Sequence, residues 1–192
     1  MKMKTLVVAI AAMTVSTAAL ADWFPTKASE RDNQPASGSA PSVPNDGSDD
    51  CTAPPSIASL PFNDTGTTTG GNNTIGTITV GCSNYTTTAG PDKVYQFTAG
   101  ATQNISFLVS PSSAWDPAIY VVSTCNSGTS CVTGADAGLA SAPESVTFTG
   151  RPAGTYFFWV DSFYSTGTLS NGAFSVAVTG TLPVELTEFS VD

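Results

Sequence analysis

Asp92, Asp116 and Asp161, with Lys93 beside the first, are the residues of this chain whose types could support catalysis. Two carboxylates roughly 5 to 9 Å apart serve glycoside hydrolysis. A serine activated by lysine would have to use Lys93, the one lysine after position 50. The 192 residues include no histidine, which removes Ser-His-Asp and Cys-His relays and the commonest transition-metal ligand. Pro91-Asp92 and Asp116-Pro117 are also turn dipeptides, in which an aspartate caps its own backbone. The sequence therefore predicts a protein that is not an enzyme.

Binding chemistry has more candidates. In Tyr156-Phe157-Phe158-Trp159-Val160, strand alternation puts Tyr156, Phe158 and Val160 on one face and Phe157, Trp159 and Asp161 on the other. If the second face looks outward, Phe157 and Trp159 join Phe163 and Tyr164 in an aromatic strip suited to stacking sugar rings or anchoring a protein partner. If both faces are covered, this is the central strand of a two-sheet core. Hard oxygen ligands for calcium are available at Asp92, with Asp46, Asp49 and Asp50 reaching in from the preceding segment. Lys93 beside Asp92 opposes a dication there.

The four cysteines are Cys51, Cys82, Cys125 and Cys131. No C-x2-C pair exists, and without histidine a zinc site has no ligand set. An even number of cysteines reads as disulfides, of which four residues allow three connectivities. The five residues between Cys125 and Cys131 suggest a local staple over a hairpin tip, leaving Cys51 to pair with Cys82.

The elements that must position these residues are strands. Ile105, Phe107 and Val109 alternate with Ser106 and Leu108, Val146 and Phe148 with Ser145 and Thr147, and Phe174, Val176 and Val178 with Ser175, Ala177 and Thr179. Further strands are predicted over 74–80, 93–98, 118–123, 155–162 and 184–191. Gly, Pro, Asn and Asp punctuate the runs, and no window carries a capped helical stripe. Seven to nine strands point to an all-β fold, an antiparallel β-sandwich of jelly-roll type stapled by disulfides.

Before the strands lie two other segments. Lys2 and Lys4, an apolar or small run from Leu6 to Leu20, and Ala19-Leu20-Ala21 make residues 1–21 a secretory signal peptide cleaved after Ala21. Residues 22–50 are rich in Pro, Ser, Asp and Asn, with few large apolar side chains, and read as a disordered linker. Without Lys2 and Lys4, four basic residues face 15 acidic ones, a net charge of −11. That balance argues against nucleic acid or an anionic membrane as partner. No later stretch is long and apolar enough to span a bilayer as a helix.

Residues 51–181 resemble the bacterial pre-peptidase C-terminal (PPC) domain. The carriers are Cys51 ahead of Ile57-Ala58-Ser59-Leu60-Pro61, then Gly90-Pro91-Asp92-Lys93-Val94-Tyr95-Gln96-Phe97-Thr98, then Asp116-Pro117-Ala118-Ile119-Tyr120, then the block from Ala153 to Asp161 and Gly172-Ala173-Phe174-Ser175-Val176. The resemblance implies a β-sandwich accessory module without catalysis, in a family where some members bind collagen or polysaccharide and some use calcium. Residues 182–192 fall outside the resemblance and read as a last strand or an assembly tail.

The expectation is a secreted module, in the periplasm, on the cell surface or released, that binds an extracellular polymer or surface protein. The alternative is a self-associating structural subunit of a surface layer or filament.

Overall fold

The computed structural model describes residues 45–86 and 90–182. The signal peptide at 1–21, the linker up to residue 44 and the strand at 184–191 lie outside the described residues. Eight strands follow in order: β1 (Phe62–Thr67), β2 (Lys93–Ala99), β3 (Asn104–Pro111), β4 (Pro117–Val122), β5 (Cys131–Ala135), β6 (Glu144–Thr149), β7 (Gly154–Ser162) and β8 (Ala173–Gly180). A 3-10 turn at Gly128–Ser130 leads into β5, and there is no α-helix among the described residues.

Two four-stranded antiparallel sheets form, in the orders β1-β8-β3-β6 and β2-β7-β4-β5. Successive strands alternate between the sheets except at the β4–β5 hairpin, which is jelly-roll connectivity. Between the sheets, alternate side chains of both interlock around Phe97, Phe107, Phe148 and Phe158. Phe107 stacks on Phe158 at 4.6 Å between ring centres, and Phe97 meets Phe107 at 5.1 Å.

The two sheets differ in what covers their backs. In β3, β6 and β8 buried residues alternate with exposed or half-buried ones, as expected of a sheet with one face in water. β4 is buried at all six positions and β7 at six of its nine. A second cluster explains this: Ile75, Ile78, Val94, Ala118, Tyr120, Val122 and Trp159 pack on the outer face of β2-β7-β4-β5 beneath the long connection from β1 to β2.

Two expectations about elements change. Residues 74–80 are not a strand. Ile75 and Ile78 are three apart, so they do not share a strand face, and both sink into the outer cluster. β1 and β5 are strands that alternation did not reveal, because FNDTGT has one large apolar residue and CVTGA has Cys and Val alone. β1 forms because β8 offers it a six-residue register from Phe62↔Val178 to Thr67↔Ala173.

The disulfide pairing also changes. Cys51 joins Cys125, with Cα atoms 5.9 Å apart, and Cys82 joins Cys131 at 6.1 Å. The tip from 123 to 131 needs no staple, since Ser123 N–H bonds Ser130 O, Ser127 N–H bonds Thr124 O and Ser130 N–H bonds Ser127 O. Its two cysteines instead tie two covering segments to the sheet: the stretch around Cys51, and the β1–β2 connection through Cys82.

The end of the predicted linker is part of this cover. Ser48 pairs with Val94 and Ser56 with Gln96, so residues 45–57 shield the free edge of β2. Asn45 N–H donates to Asp64 Oδ1 at 3.0 Å and Thr67 N–H to Asp46 Oδ1 at 2.7 Å.

Candidate functional site

The aspartates singled out from the sequence sit at the end of the sheet where β2 and β4 begin and β7 finishes, and they are closed to solvent. Asp92 and Asp161 are fully buried and Asp116 is 5% exposed. Asp161 lies opposite Ala118 in the β4–β7 ladder, and the register pairing Lys93 with Val160 sets Asp92 beside Asp161 one step further on. Asp136, one residue past β5, belongs to the same outer-face row, because Ile119 pairs with Ala135. Tyr120 reaches it through a hydroxyl bond to Asp136 Oδ2 at 3.4 Å.

These carboxylates serve structure in ways the turn dipeptides did not suggest. Asp92 Oδ2 accepts Thr74 N–H at 2.7 Å and Ile75 N–H at 2.8 Å, so it holds the distant covering loop instead of capping its own turn. Asp161 Oδ1 accepts the N–H of its neighbour Ser162. Asp116 Oδ1 is buried without a hydrogen-bond partner among protein atoms. Burial pushes the Asp92 carboxyl up to about 7, opposed by the Ile75 and Thr74 amides and assisted by the charge of Asp49. Burial, then the charges of Glu144 and Asp116, push Asp136 up to about 6. Burial followed by the charges of Asp161 and Asp136 raises the Tyr120 hydroxyl.

The proposed calcium ligands are otherwise engaged. Asp49 Oδ1 lies 2.8 Å from Lys93 Nζ, and Asp46 Oδ2 lies 3.9 Å from the same ammonium. Asp50 Oδ1 accepts Thr52 N–H at 2.8 Å. Among the described residues no three acidic, histidine or cysteine side chains are grouped to hold a metal ion. In this structure Asp46 and Asp49 face the Lys93 ammonium, Asp50 the Thr52 amide, and Asp92 the amides of Thr74 and Ile75.

The aromatic strip divides in two. Trp159 is fully buried in the outer cluster, and its indole N–H donates to Cys125 O at 2.8 Å. Phe157 packs half-buried against the same cluster. β7 is thus a central strand with both faces covered, and Trp159 is no platform. Past its end the chain emerges: Phe163 is half-buried and Tyr164 is 41% exposed.

Tyr85, from the covering connection, completes the exposed group. Its ring lies 4.9 Å from Phe163 at 66°, and Phe163 lies 4.9 Å from Tyr164 at 87°. Asn84, Tyr85, Thr86 and Phe163 line an open depression of about 370 Å³. The Tyr85 and Phe163 rings stand edge to face and wall the depression, Asn84 and Thr86 add an amide and a hydroxyl to its lining, and Tyr164 stands against Phe163. Phe163 N–H donates to Asp116 O at 3.1 Å, which anchors the aromatic wall to the end of β4. Asn84, Tyr85 and Thr86 were not among the residues that sequence pattern singled out. A lone aromatic in the Ser-Asn-Tyr-Thr-Thr stretch, with no alternating apolar partner, was the available signal.

No family model and no curated protein matches the sequence. Among solved structures, the chain is similar to the pre-peptidase C-terminal domain of collagenase from Bacillus anthracis, at 14% identity over 65% of this chain and 93% of that one, with a TM-score of 0.42. It is also similar to PliG of Aeromonas hydrophila, a periplasmic inhibitor of g-type lysozyme, at 12% identity over 66% and 96% of the two chains, with a TM-score of 0.39. Likenesses of this strength say nothing of a ligand.

Proposed function

We propose that this protein is a non-catalytic module of the periplasm, cell surface or extracellular space that binds a polymer or protein partner at the depression beside Phe163. The observation that carries the reading is the edge-to-face pair Tyr85–Phe163, left outside the core with Asn84 and Thr86 around an open hollow and continued by Tyr164 against Phe163. Two disulfides suit an oxidising compartment. No helix among the described residues is long and apolar enough to cross a membrane. The burial of Asp92, Asp116 and Asp161 supports the non-catalytic reading, since a catalytic carboxylate must reach its substrate.

The test is saturable binding to neutral polysaccharides and to cell-envelope material, with Tyr85→Ala and Tyr164→Ala as variants. Both exposed rings should matter: each variant is expected to weaken binding at least about tenfold, in the range of one interfacial aromatic, with an unchanged unfolding midpoint. Binding that ignores both substitutions overturns the site. Hydrolysis of a substrate that survives purification and is lost in Asp161→Asn overturns the non-catalytic reading.

A further inference from the structure

The peptide bond between Asp116 and Pro117, at the entry to β4, is fixed on both sides. Trp115 is fully buried, with its indole N–H on Ala173 O and its carbonyl accepting Ser141 N–H at 2.8 Å, while Pro117 pairs with Ser162 in the β4–β7 ladder. The Asp116 carbonyl oxygen accepts Phe163 N–H at 3.1 Å, and Ser162 Oγ stands 3.5 Å from it. The Asp116 carboxyl is buried, and its Oδ1 has no hydrogen-bond partner among protein atoms. The ionisable groups packed around this end of the sheet are acidic: Asp136 after β5, Glu144 on β6 and Asp161 on β7, with the Tyr120 hydroxyl on β4. Lys93 and Arg151, the basic residues after position 50, are held by Asp49 and by Val132 O.

We propose that in mildly acidic solution the folded chain cuts itself once, between Asp116 and Pro117. An oxygen of the protonated Asp116 carboxyl adds to the residue's own main-chain carbonyl carbon and closes a ring. Phe163 N–H, with the Ser162 hydroxyl beyond it, faces the negative charge that develops on the carbonyl oxygen. The C–N bond then breaks, its electron pair stays on the proline nitrogen, and that nitrogen takes up the carboxyl proton. Water opens the cyclic anhydride that remains. One chain now ends at Asp116 with two free carboxyls, and the other begins at Pro117 with a secondary amine.

Burial that shuts out a foreign substrate does not hinder this step, because the carboxyl and the bond it attacks belong to one residue. Burial also raises the Asp116 carboxyl, which keeps its proton in place in mild acid. Both disulfides, Cys51–Cys125 and Cys82–Cys131, cross the cut, and each sheet holds strands from both halves. The product is therefore a two-chain protein that keeps the sandwich and comes apart only when unfolded and reduced. No second molecule is turned over, so the module stays non-catalytic toward its partner.

Incubation of the purified protein at about pH 5 and about pH 8, followed by mass measurement and reducing electrophoresis, tests this. At the lower pH the disulfide-linked chain should gain the mass of one water, and reduction should release two fragments, the second starting at Pro117. Acid slowly cuts this dipeptide in unfolded chains too, so the same protein held in denaturant at the same pH is the reference. The folded chain should be cut at least about tenfold faster than that reference. Asp116→Asn removes the acid proton and should stay intact, and Asp116→Glu, which must close a larger ring, should be cut more slowly. A parent chain that stays intact at about pH 5, cleavage no faster than in the unfolded reference, or cleavage that persists in Asp116→Asn overturns the proposal. The comparison of folded with unfolded parent decides it even where a variant fails to fold. Loss of polymer binding in Tyr85→Ala bears on the depression and leaves this outcome unmoved.

Discussion

The hydrophobic clusters on the two sides of the β2-β7-β4-β5 sheet are held by different means. Inside, Phe97, Phe107, Phe148 and Phe158 come from strands of both sheets, and regular ladders fix every backbone that carries them. Outside, Trp159, Tyr120 and Val94 belong to the sheet, but Ile75 and Ile78 come from a connection without a strand of its own. Cross-links and side-chain bonds replace the missing ladder. Cys82–Cys131 and Cys51–Cys125 tie the cover to the β4–β5 hairpin, and Asp92 binds the amides of Thr74 and Ile75. A sheet stabilises its own lining through cooperative backbone bonds, whereas a loop must be fastened point by point.

The sharpest way to break this difference is to remove both disulfides by Cys→Ser substitution. They span separations of 74 and 49 residues, and loop closure assigns roughly 4 kcal/mol to each. Denaturant unfolding should show a larger loss of stability than any single core substitution produces, and limited proteolysis of the folded variant should cut within 68–92 before it cuts any strand. Cleavage that starts in the strands would remove the distinction between the two regions.

Phe107→Ala attacks the inner cluster. Its ring contacts Phe97 and Phe158, and its loss should cost roughly 3 to 5 kcal/mol. In this variant the two sheets should fail together in one transition, without early cleavage at 68–92.

Asp92 makes the outer layer sensitive to pH. Its carboxyl, near 7 in the folded protein, lies above the ordinary 3.8 of the unfolded chain. The native state therefore holds a proton that the unfolded state has released, and stability from this group is full below about pH 4 and lost as pH rises through about 7. Asp136, near 6, has the same sign over a narrower window. Unfolding measured from pH 4 to 7.5 should show stability falling by on the order of a few kcal/mol, and Asp92→Asn should flatten much of that slope. A variant with the parent's slope would detach the effect from Asp92.

The smallest effect belongs to Tyr164→Ala. Beyond both clusters, a 41% exposed ring should change the unfolding free energy by no more than about 0.5 kcal/mol. A loss of several kcal/mol would make the aromatic wall a third element of the core.

Much of the inner sandwich was legible in the sequence, because Ile105-Phe107-Val109 and Phe174-Val176-Val178 announce strands with one wet face. The outer layer was not. Trp159 and Tyr164 belong to the same aromatic-rich stretch, yet one is sealed beneath Ile75 and Ile78 and the other stands in solvent. Tyr85 meets Phe163 across 78 residues of chain, a pairing no local pattern contains.

By itself, then, the sequence determined the all-β class, most of the strands and the face each turns inward, since side chains on a strand alternate with a period of two and burial follows from residue type. Tertiary structure alone decided which cysteines met, which aspartates were shut away and which aromatic rings stayed outside. Those outcomes depend on what lies across a sheet from a residue. Alternation along one strand sorts its side chains onto two faces, and only the remaining chain determines whether the second face meets water, a loop or another strand.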